Sequence, residues 1–321
     1  MLLPKIEIVT PYAADANNGN WRTAARWARL LRNHCNVIVQ SDWRPGRHAE
    51  DADCLIALHA RRSHAAISDW RGRYHGKPLV VVLTGTDLYR DLPDDAQARE
   101  SLRLADRLIV LQEDAPRFLP RGERAKARVV YQSAYTLKPA EKKSRRLNCI
   151  QVGHLRAEKD PLTALAAWDN LPAQEPIFLL HVGGALDREL GRAARAFAHR
   201  ERRYRWVGEQ PNAWTRQAIK RAHLLLVPSI MEGGANVIVE AVTAGTPVLA
   251  SRMSGNVGML GADYAGMFPV GSARALAGLL RQCRAEPAFY NRLVSQCRVR
   301  SALFRPARER ASLLGVIREL V

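Results

Sequence analysis

The sequence predicts an α/β protein of two domains, each with a parallel sheet, facing one another across a cleft. Three observations carry this expectation. The chain opens with a strand, a glycine-containing loop and a helix, and the same pattern restarts midway, after a charged, proline-bearing stretch. Its strand segments are continuous apolar runs, which suit parallel strands covered on both faces. A length of 321 residues is enough to build two cores.

In order, Lys5–Thr10 (KIEIVT) reads as the first strand, stopped by Pro11, and Ala13–Asn20 as a polar loop. Trp21, Ala24, Trp27, Ala28 and Leu31 form a helical stripe with Arg22, Arg26 and Arg29 off it, and Asn20 is its expected N-cap. Strands follow at Cys35–Gln40, Cys54–Leu58, Leu79–Leu83, Asp106–Leu111 and Ala127–Tyr131. Thr136–Arg146 (TLKPAEKKSRR) has no apolar period and reads as a linker, giving a first domain over 1–140 and a second over 147–300. The second series runs from the strand LNCIQVGHL through a helix at Leu162–Trp168, the segment IFLLHVGG at Ile177–Gly184, a basic helix at Asp187–Arg200 and RYRWVGE. A helix around Trp214–Arg221, the strand at His223–Ser229 and terminal helices at Ala273–Arg284, Pro287–Arg300 and Ala307–Leu320 complete it. Both halves read as Rossmann-like.

The formal net charge is +18, mostly arginine spread along the whole chain. A nucleic-acid binder would use such an excess, but no helix-turn-helix, RNA-binding or zinc-finger signature accompanies it. Solvated helix faces account for most of the arginines, and a cationic cleft for a charged substrate accounts for a few. No apolar run reaches bilayer length, the N-terminus lacks signal-peptide features, and the five cysteines are scattered without a CxxC. The expectation is a cytoplasmic enzyme without stable membrane insertion.

Met231–Ser251 (MEGGANVIVEAVTAGTPVLAS) carries the chemistry. Gly233-Gly234 lets backbone approach a ligand. Asn236 is the expected N-cap of a helix over Asn236–Ala244, Gly245 its terminator, and Pro247–Ala250 the next strand. Asn236 and Glu240 then share one helix face. Amides at a helix start favour an anion and a carboxylate accepts from hydroxyls, so phosphate beside sugar, a nucleotide-sugar, fits the stretch.

The frame EGGANVIVEAVTAGTPVLAS, with Glu232 and Glu240 eight positions apart, resembles the EG-x6-EA-x3-G-x-PV signature of retaining GT-B glycosyltransferases of the GT4 kind. GHLRAEK (Gly153–Lys159) resembles that family's G-R-L-x-x-x-K segment, and HVGG, WVGE and VPSIMEG follow in the same order. The resemblance implies a GT-B fold whose last segment, 301–321, packs back on the first domain. It implies a catalytic set of Lys159, Glu232 and Arg156. Lys159 would hold the donor diphosphate, Glu240 the ribose hydroxyls, and Glu232 would lie near the sugar. Gly153, His154, Gly183, Val207, Gly233, Gly234, Ala235, Asn236 and Val237 complete the donor side, with no metal and no cofactor. The family's arginine after the first glycine is His154 here, and Arg156 stands two residues on.

NNGNWRTA (Asn17–Ala24) and TGTDLYRD (Thr84–Asp91) are similar to a compact subgroup, the selenosugar synthases of selenoneine biosynthesis. That likeness implies transfer of N-acetylglucosamine (or glucose) from a UDP-sugar to selenophosphate, with Asn18, Gly19, Asn20, Arg22, Thr84, Gly85, Thr86 and Asp87 on the acceptor side. A selenium nucleophile needs no protein base. An ordinary GT4-like enzyme with a carbohydrate, lipid or small-molecule acceptor is the alternative, and a nonenzymatic nucleic-acid binder the more distant one. Asp51-Ala52-Asp53 precedes a strand and reads as surface acid rather than a metal site. His59, His75 and His181 read as structural, and Trp21, Trp27, Trp168 and Trp214 as core.

Overall fold

The computed structural model describes residues 3–11, 19–44, 52–142 and 145–321. They group into two compact units, Met1–Gln132 with Pro306–Val321, and Ser133–Arg305. The first contains β1 (Lys5–Val9), α1 (Gly19–Leu31), β2 (Asn36–Gln40), β3 (Cys54–Leu58), α2 (His64–Arg73), β4 (Leu79–Leu83), α3 (Ala96–Leu104), β5 (Arg107–Val110) and β6 (Ala127–Val129). Its sheet runs β2-β1-β3-β4-β5-β6, with every pairing parallel. The second contains β7 (Leu147–Val152), α4 (Pro161–Asp169), β8 (Ile177–Val182), α5 (Arg188–Arg200), β9 (Tyr204–Trp206), α6 (Asn212–Arg221) and β10 (Leu224–Val227). It continues through α7 (Asn236–Thr243), β11 (Val248–Ser251), α8 (Ser254–Leu260), β12 (Met267–Phe268), α9 (Ala273–Ala285) and α10 (Pro287–Arg300). This sheet runs β12-β11-β10-β7-β8-β9, again parallel. The last helix, α11 (Pro306–Arg318), belongs to the first unit.

The continuous apolar strands are covered on both faces. Along β3, Cys54, Ile56 and Leu58 join one core layer with Trp27 and Leu31, while Leu55 and Ala57 join the other with Trp43, Ile67 and Trp70. Alternate residues thus serve opposite layers, and the strand has no polar face. Helix α11 closes the first layer with Leu313, Val316 and Ile317. Its buried Glu309 accepts from Trp27 Nε1 at 2.7 Å and Arg26 Nε at 3.0 Å. Glu319 accepts from Arg107 and Arg128, each at 2.8 Å.

Several expectations change. Asn20 lies inside α1, whose first residue is Gly19, so it is not the N-cap. Trp27 and Trp168 are core residues, but Trp214 is 43% exposed. Helices α2, α3 and α8 and strand β12 are elements the sequence reading did not name. Helix α2 buries only Ala66, Ile67 and Trp70, and α8 (SGNVGML) is built of residues that favour turns. Thr136–Arg146 begins within the second unit. Leu137 N–H bonds to Thr243 O at 3.0 Å and Pro139 packs on Gly245, whose φ of +74° ends α7 as a left-handed glycine.

Candidate active site

In the second unit the strand order reverses between β7 and β10, so the loops leaving their carboxyl ends diverge and open a crevice. The residues singled out by sequence sit on those loops and on the loop after β8. Gly153 N–H bonds to Val182 O, and Leu155 N–H to Gly184 O, each at 2.9 Å. Gly183 adopts φ +148°, and a Cβ there would sit 2.0 Å from Gly153 O, so only glycine fits. The Gly184 amide donates to His154 Nδ1 at 3.1 Å. In the neutral ring this leaves the proton on Nε2. The residue that replaces the family's arginine is therefore anchored to the second glycine loop through one ring nitrogen.

Lys159 ends a short 3₁₀ turn, Ala157–Lys159. Asp160 follows at φ +41° and caps α4 by accepting from Thr163 N–H at 3.2 Å. Lys159 Nζ donates to Glu232 Oε1 at 2.5 Å, and Ser229 Oγ donates to the same oxygen at 2.6 Å. Ile230 N–H bonds to Glu158 O at 3.0 Å, so the loops after β7 and β10 are joined by backbone as well as side chain. Behind Glu232, a Cβ on Gly255 would meet its carbonyl oxygen at 1.9 Å. Ser251 Oγ donates to Ser229 O, and Asn256 Nδ2 donates to Ser251 Oγ at 3.0 Å. Gly255, Ser251 and Asn256 thus support Glu232. Sequence reasoning passed over them because their neighbours are set by packing rather than by spacing.

Ala235, not Asn236, is the N-cap of α7, and it has no capping side chain. Asn236 is the first helical residue, and its Nδ2 instead donates to Glu240 Oε1 at 3.2 Å. Asn212, at the start of α6, donates to that oxygen at 3.0 Å. It was missed because its partner lies 28 residues away in sequence. Among the described residues, the N–H groups of Gly233, Gly234, Ala235, Asn236 and Val237 find no acceptor. Five successive amide donors beside an ammonium form a receptor for an oxyanion. Val207, after β9, bonds through N–H to His181 O at 3.0 Å and accepts from Gln210 Nε2 at 2.8 Å. Arg156 does not join the Lys159–Glu232 pair. It is exposed, with Nε 4.0 Å from Glu158 Oε2.

In the first unit, Asp87 is fully buried and organises the turn after β4. Its Oδ1 accepts from Thr84, Gly85 and Leu88 N–H at 2.9, 2.8 and 3.1 Å. Its Oδ2 accepts from Ala60 N–H at 3.0 Å. This carboxylate is engaged by backbone and shapes the loop; Thr86, half-buried, is the member of TGTD whose hydroxyl meets His59 Nε2, at 3.0 Å. Gly19, Asn20 and Arg22 lie in the first turn of α1, Arg22 exposed, and Asn18 lies outside the described residues. Asp51 also lies outside them, while Asp53 Oδ2 accepts from Lys5 N–H at 2.8 Å, a strand-end contact. His75 is exposed, and His181 is buried against Tyr204 OH at 3.0 Å.

Among the described residues no cluster of three or more His, Cys, Asp or Glu side chains is set to hold a metal ion. No helix among them is long and apolar enough to cross a membrane. All five cysteines are buried thiols without a disulfide.

Solved structures of the same fold cover nearly the whole chain. A sucrose-phosphate synthase from Thermosynechococcus elongatus matches with TM-score 0.80 at 18% identity, covering 99% of each chain. HepE from Anabaena, in complex with UDP and glucose, matches with TM-score 0.76 at 16% identity over 99% of this chain and all of its own. A glycosyltransferase from Rickettsia africae matches with TM-score 0.73 at 12% identity, covering 99% and 98% of the two chains. At these identities the likeness establishes a shared GT-B fold. The sequence of residues 136–300 matches the family described as glycosyl transferases group 1. That segment is more than half of the chain and holds both the Lys159–Glu232 and the Asn236–Glu240 pairs, and on it the chain belongs to the glycosyl transferases group 1 family.

Proposed function

We propose that this glycosyltransferase moves a hexosyl group, N-acetylglucosamine or glucose, from a UDP-sugar to a small anionic acceptor, selenophosphate, forming a carbon–selenium bond and releasing UDP. The observation that carries the donor half is the Lys159 ammonium beside the unpartnered Gly233–Val237 amides. A diphosphate leaving group gathers charge as the anomeric C–O bond breaks, and a fixed cation with oriented amides stabilises that charge without a metal or cofactor. In this reading Glu240, held by Asn212 and Asn236, accepts from the ribose hydroxyls. HepE, which carries UDP and glucose in its structure, shares this fold.

The acceptor half rests on the likeness of NNGNWRTA and TGTDLYRD to selenosugar synthases, and on chemistry. No positioned base is needed, because selenium in selenophosphate is already nucleophilic. The selenium electron pair forms the new bond at the anomeric carbon while the C–O pair leaves with UDP, front-face with retention. Gly19, Asn20, Arg22 and the Thr84–Asp87 turn handle the acceptor in this reading, together with Asn18. The enzyme acts in the cytoplasm, and nucleic acid is not a partner.

The test incubates the protein with UDP-N-acetylglucosamine, with and without selenophosphate, and reads UDP release and product mass. Selenophosphate-dependent UDP release and a selenium-containing sugar are expected. UDP release indifferent to selenophosphate overturns the selenosugar reading and leaves a transferase with a carbohydrate, lipid or small-molecule acceptor. Salt-sensitive binding of DNA or RNA without any binding of UDP overturns both.

A further inference from the structure

In the first unit the strand order reverses at β1 and β3, which places the crevice of this sheet at their carboxyl ends. His59 is the first residue after β3, and its backbone has φ +75°. A non-glycine residue in the left-handed region is uncommon and is held there only when its surroundings over-determine it. Those surroundings are specific. Asp87 clamps Ala60 N–H to the Thr84–Leu88 turn, and His59 N–H bonds to Val82 O at 2.8 Å. The segment Asp87–Asp91 winds as a π-helical turn, a form common at functional sites.

The ring contacts fix the direction of each hydrogen bond. Arg62 N–H donates to His59 Nδ1 at 3.3 Å, so Nδ1 is an acceptor and Nε2 carries the proton in the neutral ring. Nε2–H therefore donates to Thr86 Oγ1, at 3.0 Å. That bond engages the Thr86 oxygen as an acceptor and leaves its own proton to be donated. Among the described residues the Thr86 hydroxyl donates to nothing. Asp87 Oδ2 and Asp91 Oδ2 stand 4.0 and 3.9 Å from the ring and bias its orientation without receiving the Thr86 proton.

We propose that His59 is a positioning residue for the acceptor: its Nε2–H holds the Thr86 oxygen so that the hydroxyl proton is presented to an oxyanion at the carboxyl end of β3 and β4. This rests on the transferase reading, in which the oxyanion is the phosphoryl group of the acceptor. The imidazole neither touches the reacting atoms nor removes a proton.

Inorganic phosphate is the probe, titrated by calorimetry with and without saturating UDP, alongside the acceptor KM and kcat in turnover. His59→Asn keeps a residue tolerant of the left-handed backbone but is too short to reach Thr86. It should weaken phosphate binding and raise the acceptor KM about tenfold, with UDP affinity unchanged and kcat moved far less than KM. His59→Gln, which restores a donor of suitable length, should recover most of the loss. Thr86→Val should match His59→Asn, and Thr86→Ser should bind as the parent does. Phosphate affinity unaltered in His59→Asn or Thr86→Val overturns the inference, as does a wild type that binds no phosphate with or without UDP. If His59→Asn does not fold, Thr86→Val alone decides by the same criterion. A wild type that binds phosphate but not UDP refutes the transferase reading and leaves the His59–Thr86 pair standing as an oxyanion site.

Discussion

Replacing Lys159 with alanine removes the side-chain cation paired with Glu232 and leaves the backbone of both loops intact. In the wild type its ammonium lies 2.5 Å from Glu232 Oε1, with the two side chains only 19% and 9% exposed. A unit charge about 4 Å from a phosphoryl oxygen, at the effective dielectric of about 20 that suits partly buried pairs, contributes about 4 kcal/mol. The whole of it, roughly three decades, is expected in kcat/KM, and because part of the attraction is already present in the ground state about 3 kcal/mol, roughly two decades, is expected in kcat. Glu232 in the variant keeps Ser229 Oγ as a donor but loses its counter-ion. Unfolding free energy should fall by about 1–3 kcal/mol, and the protein should remain folded at room temperature. The assay is UDP release from UDP-N-acetylglucosamine under single-turnover conditions, with UDP affinity by calorimetry and folding by near-UV circular dichroism. A folded Lys159→Ala protein whose kcat/KM stays within about threefold of the parent refutes the argument that this ammonium carries leaving-group charge.

Glu240→Gln should weaken UDP about 10- to 100-fold in calorimetry, because a neutral amide presents a poorer acceptor to hydroxyls and one of its groups must face the donors Asn212 and Asn236. Gly183→Ala forces a Cβ to within 2.0 Å of Gly153 O at a φ of +148°, so thermal unfolding should shift downward and UDP binding should be lost. Glu309→Gln breaks a buried contact to Arg26 and Trp27; a loss of about 3 kcal/mol is expected in guanidinium titration, with α11 amides exchanging faster. Burial lowers the His181 pKa from 6.5 to about 4, the nearby Gly153 backbone opposing it. The unfolded chain binds that proton first, so its contribution is fully present above pH 6.5 and about 3 kcal/mol is lost as pH falls through about 4. His181→Gln should flatten stability across that window, and an unchanged slope would exclude His181 as its source.

Regular patterns were readable wherever chemistry follows spacing. The apolar runs of β3 and β4 matched their strands residue for residue, since a strand buried on both faces must be apolar at every position. Gly245 ended α7 because only a residue without a Cβ takes its φ of +74° at no steric penalty. Glu232, Glu240, Lys159 and the glycines around them were legible as a candidate site because each loop carries its own residue types in a fixed order. Helix α8 was not legible: Gly255 answers to the close approach of Glu232 and Asn256 to its bonds with Ser251, contacts made only once the sheet has formed.

Pairings between distant segments belong to the same class. Asn236 looked like a helix cap, and the packed structure turned its amide to Glu240 and brought Asn212 to the same oxygen. His59 meets Thr86 because β3 and β4 pair in a register that sets them side by side, a contact no local pattern announces. A one-dimensional chain specifies periodicity, caps and loop composition, which are local. Which carboxylate meets which amide, and which imidazole meets which hydroxyl, depends on strand order and crossover. Those are fixed only when the two parallel sheets bury their apolar faces.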